Sequence, residues 1–162
     1  MAGPAHPTPT STGAPVRIEE KFTVDAPADD VWAFLTDPER VAAALPGAEI
    51  TEKLDENTWK GGMGVKVGPL NAVYGGTVAF DLDEDARSAI VHAKGQGKAG
   101  MGNADMKMTS RVVSLGPSES EVTVEADLRV TGILAQLGRG MMQHVSKKMF
   151  KEFTEVLEKE LS

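Results

Sequence analysis

From Leu134 to Leu157 apolar residues return at three- and four-residue steps: Leu134, Leu137, Met141, Val145, Met149, Phe153, Val156 and Leu157. That period marks one face of an α-helix and predicts an amphipathic helix of about seven turns after Gly132. A helix this long must bury its stripe against one large dry surface. The rest of the chain supplies such a surface only as a sheet, so the pattern predicts a curved antiparallel sheet wrapped around the C-terminal helix.

The sheet is read from a change of period. A first strand begins near Val16, with Ile18, Glu20, Phe22 and Val24 on one face and Arg17, Glu19, Lys21 and Thr23 on the other. Two short helices follow. Asp25 is a candidate N-cap for the first, which carries Val31, Trp32, Phe34 and Leu35 and ends before Pro38. The second runs from Glu39 to Leu45 and is stopped by Pro46 and Gly47.

From Glu49 to Val130 the residues alternate. Trp59, Gly61, Met63, Val65 and Val67 share one strand face, and Leu70, Ala72, Tyr74, Gly76, Val78, Phe80 and Leu82 share the next. Ala104, Met106, Met108 and Val112, then Val122, Val124, Ala126, Leu128 and Val130, continue the dry side. Turn chemistry at Asp83 to Asp85 and Gly116 to Ser118 keeps the connections short, which predicts a meander. The fold class is therefore α+β: a helix-grip with two short helices after the first strand. Residues 1–15 read as a disordered tail, and residues 16–162 as one domain, since 162 residues make one sizeable core but not two.

Composition narrows the function. A formal charge of −7, with Lys147, Lys148 and Lys151 alternating with Glu152, Glu155 and Glu158, excludes the clustered cations that nucleic-acid binding needs. The chain has no cysteine, hence no disulfide, thiolate nucleophile or thiolate zinc site. No apolar run reaches the roughly eighteen residues that span a bilayer.

Catalytic patterns are scarce. His6 lies in the tail, His92 in a strand and His144 on the last helix, with no Ser or carboxylate placed by sequence to form a triad and no metal-ligand spacing. His144 and Asp105 are the first residues to inspect for acid–base chemistry. The segment Lys94 to Gly102, KGQGKAGMG, lacks phosphate-loop spacing and reads as a hairpin loop.

Small and soft residues point instead to a cavity. Most of the seventeen glycines fall in the sheet. Glycine permits sharp bending there, but Gly76, Ala104 and Ala126 facing the helix also leave space. Met63, Met106, Met108, Met141, Met142 and Met149 are assigned to the same interior, and methionine adapts to irregular apolar ligands. Tyr74 offers a hydroxyl for one polar end.

Several blocks resemble the CoxG family, an accessory component of aerobic carbon monoxide dehydrogenase. They are Val31–Trp32, LTDPERVAAALPGAE (Leu35 to Glu49), KVGPL (Lys66 to Leu70), GKAGMGNADMKMTSRV (Gly97 to Val112) and GILAQLGRGMMQHVSKKMFKEF (Gly132 to Phe153). The resemblance runs from about Phe22 to Leu157 and implies a START-like, polyketide cyclase-like helix-grip fold. It implies an accessory role, not a catalytic one, beside a molybdenum-containing CO dehydrogenase or a related molybdenum hydroxylase. The membrane acceptor for electrons from CO oxidation is a quinone, so the expected carried ligand is an isoprenoid quinone, menaquinone foremost, with no covalent cofactor and no metal.

The expected ligand contacts are Met63, Val65, Leu70, Tyr74, Val78, Phe80, Met106, Met108, Val124, Leu128, Leu134, Leu137, Met141, Met142 and Val145, lining an apolar tunnel of roughly 300 to 1,000 Å3 open at one end. Family members commonly continue to a membrane-attaching tail, whereas this sequence stops at Ser162. The expected location is cytoplasmic, peripheral on the inner face of the cell membrane when full-length. Two alternatives stand beside the carrier: a membrane-recruitment or assembly factor that binds no ligand, and a cyclase-like enzyme.

Overall fold

The computed structural model describes residues 16–67, 70–98 and 101–161, so the tail read over residues 1–15 lies outside the described residues. Strand β1 (Val16–Val24) is followed by helices α1 (Ala28–Leu35) and α2 (Pro38–Ala44). Six further strands come next: β2 (Ala48–Lys53), β3 (Thr58–Val67), β4 (Leu70–Asp83), β5 (Ser88–Gly97), β6 (Asn103–Gly116) and β7 (Glu119–Val130). A 3-10 helix (Gly132–Leu137) leads into helix α3 (Arg139–Leu161). Every strand pairs antiparallel in the order β1-β7-β6-β5-β4-β3-β2. The chain thus has the α+β helix-grip architecture expected from its periodicity.

Alternation builds the sheet as read. In β7 Ser120, Val122, Val124 and Ala126 are buried while Glu119 and Glu125 face solvent. The sequence pattern does not delimit β2 and β5. β2 has only six residues and is mostly exposed, and β5 runs out into the glycines of KGQGKAGMG, so neither has much apolar contrast. That segment is strand as far as Gly97 and strand again from Asn103, so the loop is shorter than the motif.

The helix ends show which local signals decide. Asp25 does not cap α1; the N-cap is Pro27, which enters extended at φ −62° and offers its carbonyl to the amides of Asp30 and Val31 at 3.0 and 3.1 Å. Asp29 and Asp30 occupy the first turn, where the helix dipole favours them. Asp37 does cap α2, its carboxylate accepting from the amides of Glu39 and Arg40, with Pro38 in the first helical turn.

The C-terminal helix departs from the expected single run. The 3-10 helix and the break at Gly138, whose φ is +88°, interrupt it before α3 begins. A 3-10 segment turns 3.0 residues per turn instead of 3.6, so a stripe counted from Leu134 loses phase across the break. Met141 and Val156, both assigned to the buried stripe, are 43% and 36% exposed. The inward face of α3 is instead Met142, Val145, Phe150, Phe153, Leu157 and Leu161.

Two apolar clusters hold the grip. The first joins Val31 and Phe34 of α1 to Val112, Val122 and the C-terminal half of α3, with Phe34 and Phe153 edge to face at 6.1 Å and Phe22 and Phe150 at 5.3 Å. The second gathers Val16, Ala72, Tyr74, Val130 and Met142 at the other end. Polar ties pin α1 to the sheet: Trp32 Nε1 donates to Glu84 at 2.8 Å, and Arg87 pairs with Asp29 at 2.7 Å. Fully buried Ser120 donates to the Ala26 carbonyl at 2.7 Å. Among the described residues no helix is long and apolar enough to cross a membrane.

Candidate ligand-binding site

The site is built from two rows of residues that cross the concave face. Register places Val16, Leu128, Met106, Ala93, Val78 and Trp59 in one row, and Ile18, Ala126, Met108, Val91 and Phe80 in the next. Directly opposed residues of neighbouring strands point to the same side, so each row is a continuous line of side chains. Val16 and Leu128 pack into the second cluster, and Met108 against the first.

The middle of the face is different. Trp59, Met63, Val78, Phe80, Ala93 and Met106 are only half-buried and, among the described residues, belong to neither cluster. α3 rests on β1 and against α1 and α2, away from this part of the sheet. The result is an apolar trough on β3 to β6 between two packed ends, edged by Lys53, whose ammonium lies 5.2 Å from the Trp59 ring centroid.

The expected contacts therefore divide. Met63, Val78, Phe80 and Met106 line the trough. Val65, Tyr74, Leu128, Met142 and Val145 fill the second cluster, and Met108 and Val124 belong to the first. Met141 stands in solvent, and the side chains of Leu70, Leu134 and Leu137 lie outside the described part of the structure. Trp59 and Ala93 are trough residues that the sequence pattern does not single out as contacts. Trp59 shares the dry face of its strand with Met63, and that shared face is the signal that points to it.

Two expectations about space and polarity are corrected. A Cβ on Gly76 would overlap the carbonyl oxygen of Lys94, and one on Gly61 the carbonyl oxygen of Glu49. These glycines let neighbouring backbones approach as the sheet bends, and leave no room for a ligand. The Tyr74 phenol is engaged, its hydroxyl reaching the Met101 carbonyl at 3.4 Å, and burial raises its pKa. Gly102 and Gly132, at φ +87° and +76°, shape the loop that brings Met101 there.

His144 on α3 and Asp105 on the outer face of β6 are both exposed and do not converge. Among the described residues no three His, Cys, Asp or Glu side chains gather as a metal-ligand set. Two depressions are cut into the surface. One, of about 350 Å3, has polar Thr77, Lys94, Gln96, Asn103 and Asp105 around Gly75, Gly76 and Gly95. The other, of about 370 Å3, separates β1 from α3.

Residues 21–162 match the profile of CoxG, the carbon monoxide dehydrogenase accessory family, and the match covers most of the chain and all of the trough. The chain belongs to the carbon monoxide dehydrogenase CoxG family. No curated protein sequence matches it. Among solved structures, a conserved protein from Geobacillus kaustophilus superposes with a TM-score of 0.80 at 18% identity, over 90% of this chain and 94% of that one. The Zhui aromatase/cyclase from Streptomyces sp. R1128 gives 0.66 at 20% identity, over 91% and 94%. A START superfamily protein from Mycobacterium smegmatis gives 0.62 at 14% identity, over 90% and 96%. At these identities the likeness is one of fold, and it places this CoxG family member among START-like helix-grip proteins. Family membership points to an accessory role beside a carbon monoxide dehydrogenase.

Proposed function

We propose that this CoxG family member carries an isoprenoid quinone, menaquinone foremost, in the concave trough. In this reading it serves an aerobic molybdenum CO dehydrogenase or a related hydroxylase at the inner face of the membrane, linking the enzyme to the respiratory quinone pool. The protein is a carrier: it binds, shields and releases, and the redox chemistry belongs to the ligand and the partner enzyme. The observation that supports the ligand is the trough itself, in which Trp59, Val78, Phe80 and Met106 keep apolar surface that neither cluster covers.

Magnitudes suit exchange. A tail of two isoprene units, buried at about 0.8 kcal/mol per carbon, gains on the order of 8 kcal/mol gross. Immobilising it costs roughly 4 to 15 kcal/mol. The two terms nearly balance, so a short tail binds reversibly, as a carrier requires. Longer tails bind more tightly only as far as the trough extends.

The two tryptophans give a direct test, because Trp59 lies in the trough and Trp32 in the first cluster. Quinones quench indole fluorescence on contact. In a Trp32→Phe variant, titration with a short-chain menaquinone is expected to quench Trp59 saturably, while Trp59→Phe leaves a Trp32 signal that changes little. Equal, non-saturating quenching of both would favour a recruitment factor that binds no ligand.

A further inference from the structure

We infer that the cleft between β1 and α3 is the station for the polar end of the carried ligand, with Lys147 as the donor that holds a ring carbonyl. This rests on the carrier reading above and adds where the ligand points. The cleft measures about 370 Å3 and is lined by Arg17, Ile18, Glu19, Gln143 and Lys147. It is stitched at one side by Gln143, whose Nε2 donates to the Arg17 carbonyl at 3.4 Å.

The charges sort themselves. The Arg17 guanidinium is already held by Glu19 at 3.2 Å, Glu125 at 2.5 Å and Asp127 at 3.2 Å. Lys147 has no ion-pair partner among the described residues. It is therefore the cleft's available cation, and an ammonium donates a charge-assisted hydrogen bond to a carbonyl oxygen.

Polarity inside the grip changes at the same place. The inner face of β1 is Val16, Ile18, Glu20, Phe22 and Val24, so its single polar residue lies next to the cleft. On α3, half-buried Ser146 interrupts the apolar stripe between Met142 and Phe150. From Ile18 the row through Ala126 and Met108 leads across the sheet to Phe80, which joins the cleft to the trough. A molecule with a carbonyl-bearing ring and a branched apolar tail fits this sequence of surfaces.

Two probes are titrated into wild type, Lys147→Met and Lys147→Arg: menaquinone with two isoprene units, and a branched ten-carbon isoprenoid hydrocarbon. The Lys147→Met protein is expected to bind the quinone about tenfold more weakly, in line with loss of one charged hydrogen bond. Its affinity for the hydrocarbon should be unchanged, and Lys147→Arg should restore the quinone. Equal quinone affinity in all three proteins, with the hydrocarbon still bound, would place the ring elsewhere and overturn the assignment. Failure of wild type to bind either probe would instead remove the carrier reading on which it rests.

Discussion

The α-carbon of Gly76 lies against the backbone carbonyl of Lys94, so close that any side chain at position 76 would overlap that oxygen. Gly76 opposes Gly61 on one side and Gly95 on the other, and Gly95 opposes Ala104. Small residues thus cross four strands where the sheet bends, and the concavity that makes the trough depends on them.

Replacing Gly76 by Ala is expected to destabilise the protein by about 1 to 3 kcal/mol, the usual range for forcing atoms into a packed site. Gly75→Ala is the control, because a Cβ there meets nothing within 4 Å, and it should stay within about 0.5 kcal/mol. Urea denaturation of the two variants decides the matter. Equal midpoints would mean the close approach is not a constraint.

Helix register gives a second contrast. Phe153 is buried against Phe34, so Phe153→Ala should cost about 3 to 5 kcal/mol. Met141 is exposed, and Met141→Ala should change stability by no more than about 0.5 kcal/mol. A large loss at Met141 would favour the uninterrupted stripe that the sequence pattern predicts.

Positions 76 and 141 mark where a sequence pattern misleads, and β7 where it does not. Strict alternation, as at Val122, Val124 and Ala126, identifies both strand and face, because a sheet with one wet side has only one register that hides them. The α3 stripe fails near Met141, since no apolar period reveals that a 3-10 segment and a left-handed Gly138 reset the phase. Gly76 looks like free space for a related reason: a missing side chain reads the same whether a ligand or a neighbouring strand fills it. Within the expected site, Val78, Phe80, Met63 and Met106 are legible by face alone. Separating them from packed Tyr74 and Met142 requires knowing which concave residues the helices cover.

Tyr74 predicts a pH dependence. Burial raises its folded-state pKa, so the folded protein holds the phenolic proton more tightly than the unfolded chain. The contribution is intact below the unfolded value, near 10, and is lost as pH rises from there through the folded value. Tyr74 is the only tyrosine, so phenolate absorbance reports it alone. The titration should lie above that of the unfolded chain, and Tyr74→Phe should flatten the alkaline fall in stability. A phenol that titrates as in the unfolded chain would contradict its burial.

The Trp32–Glu84 hydrogen bond fastens α1 over the β4–β5 turn. Trp32→Phe keeps an aromatic ring but removes the donor, and should cost about 1.5 to 3 kcal/mol as a bond to a charged acceptor. Thermal unfolding measures it, and Glu84→Gln, which keeps an acceptor oxygen, should lose less.

Whether the trough around Met106 holds a quinone is tested most directly by native mass spectrometry and organic extraction of the protein, purified from cells that make isoprenoid quinones. Met106→Trp is prepared alongside. A quinone carrier should show near one-to-one quinone on the wild type and a folded Met106→Trp protein that is empty. A wild-type protein that is empty and takes up no added quinone, or a folded Met106→Trp protein that still carries a full complement, would contradict it.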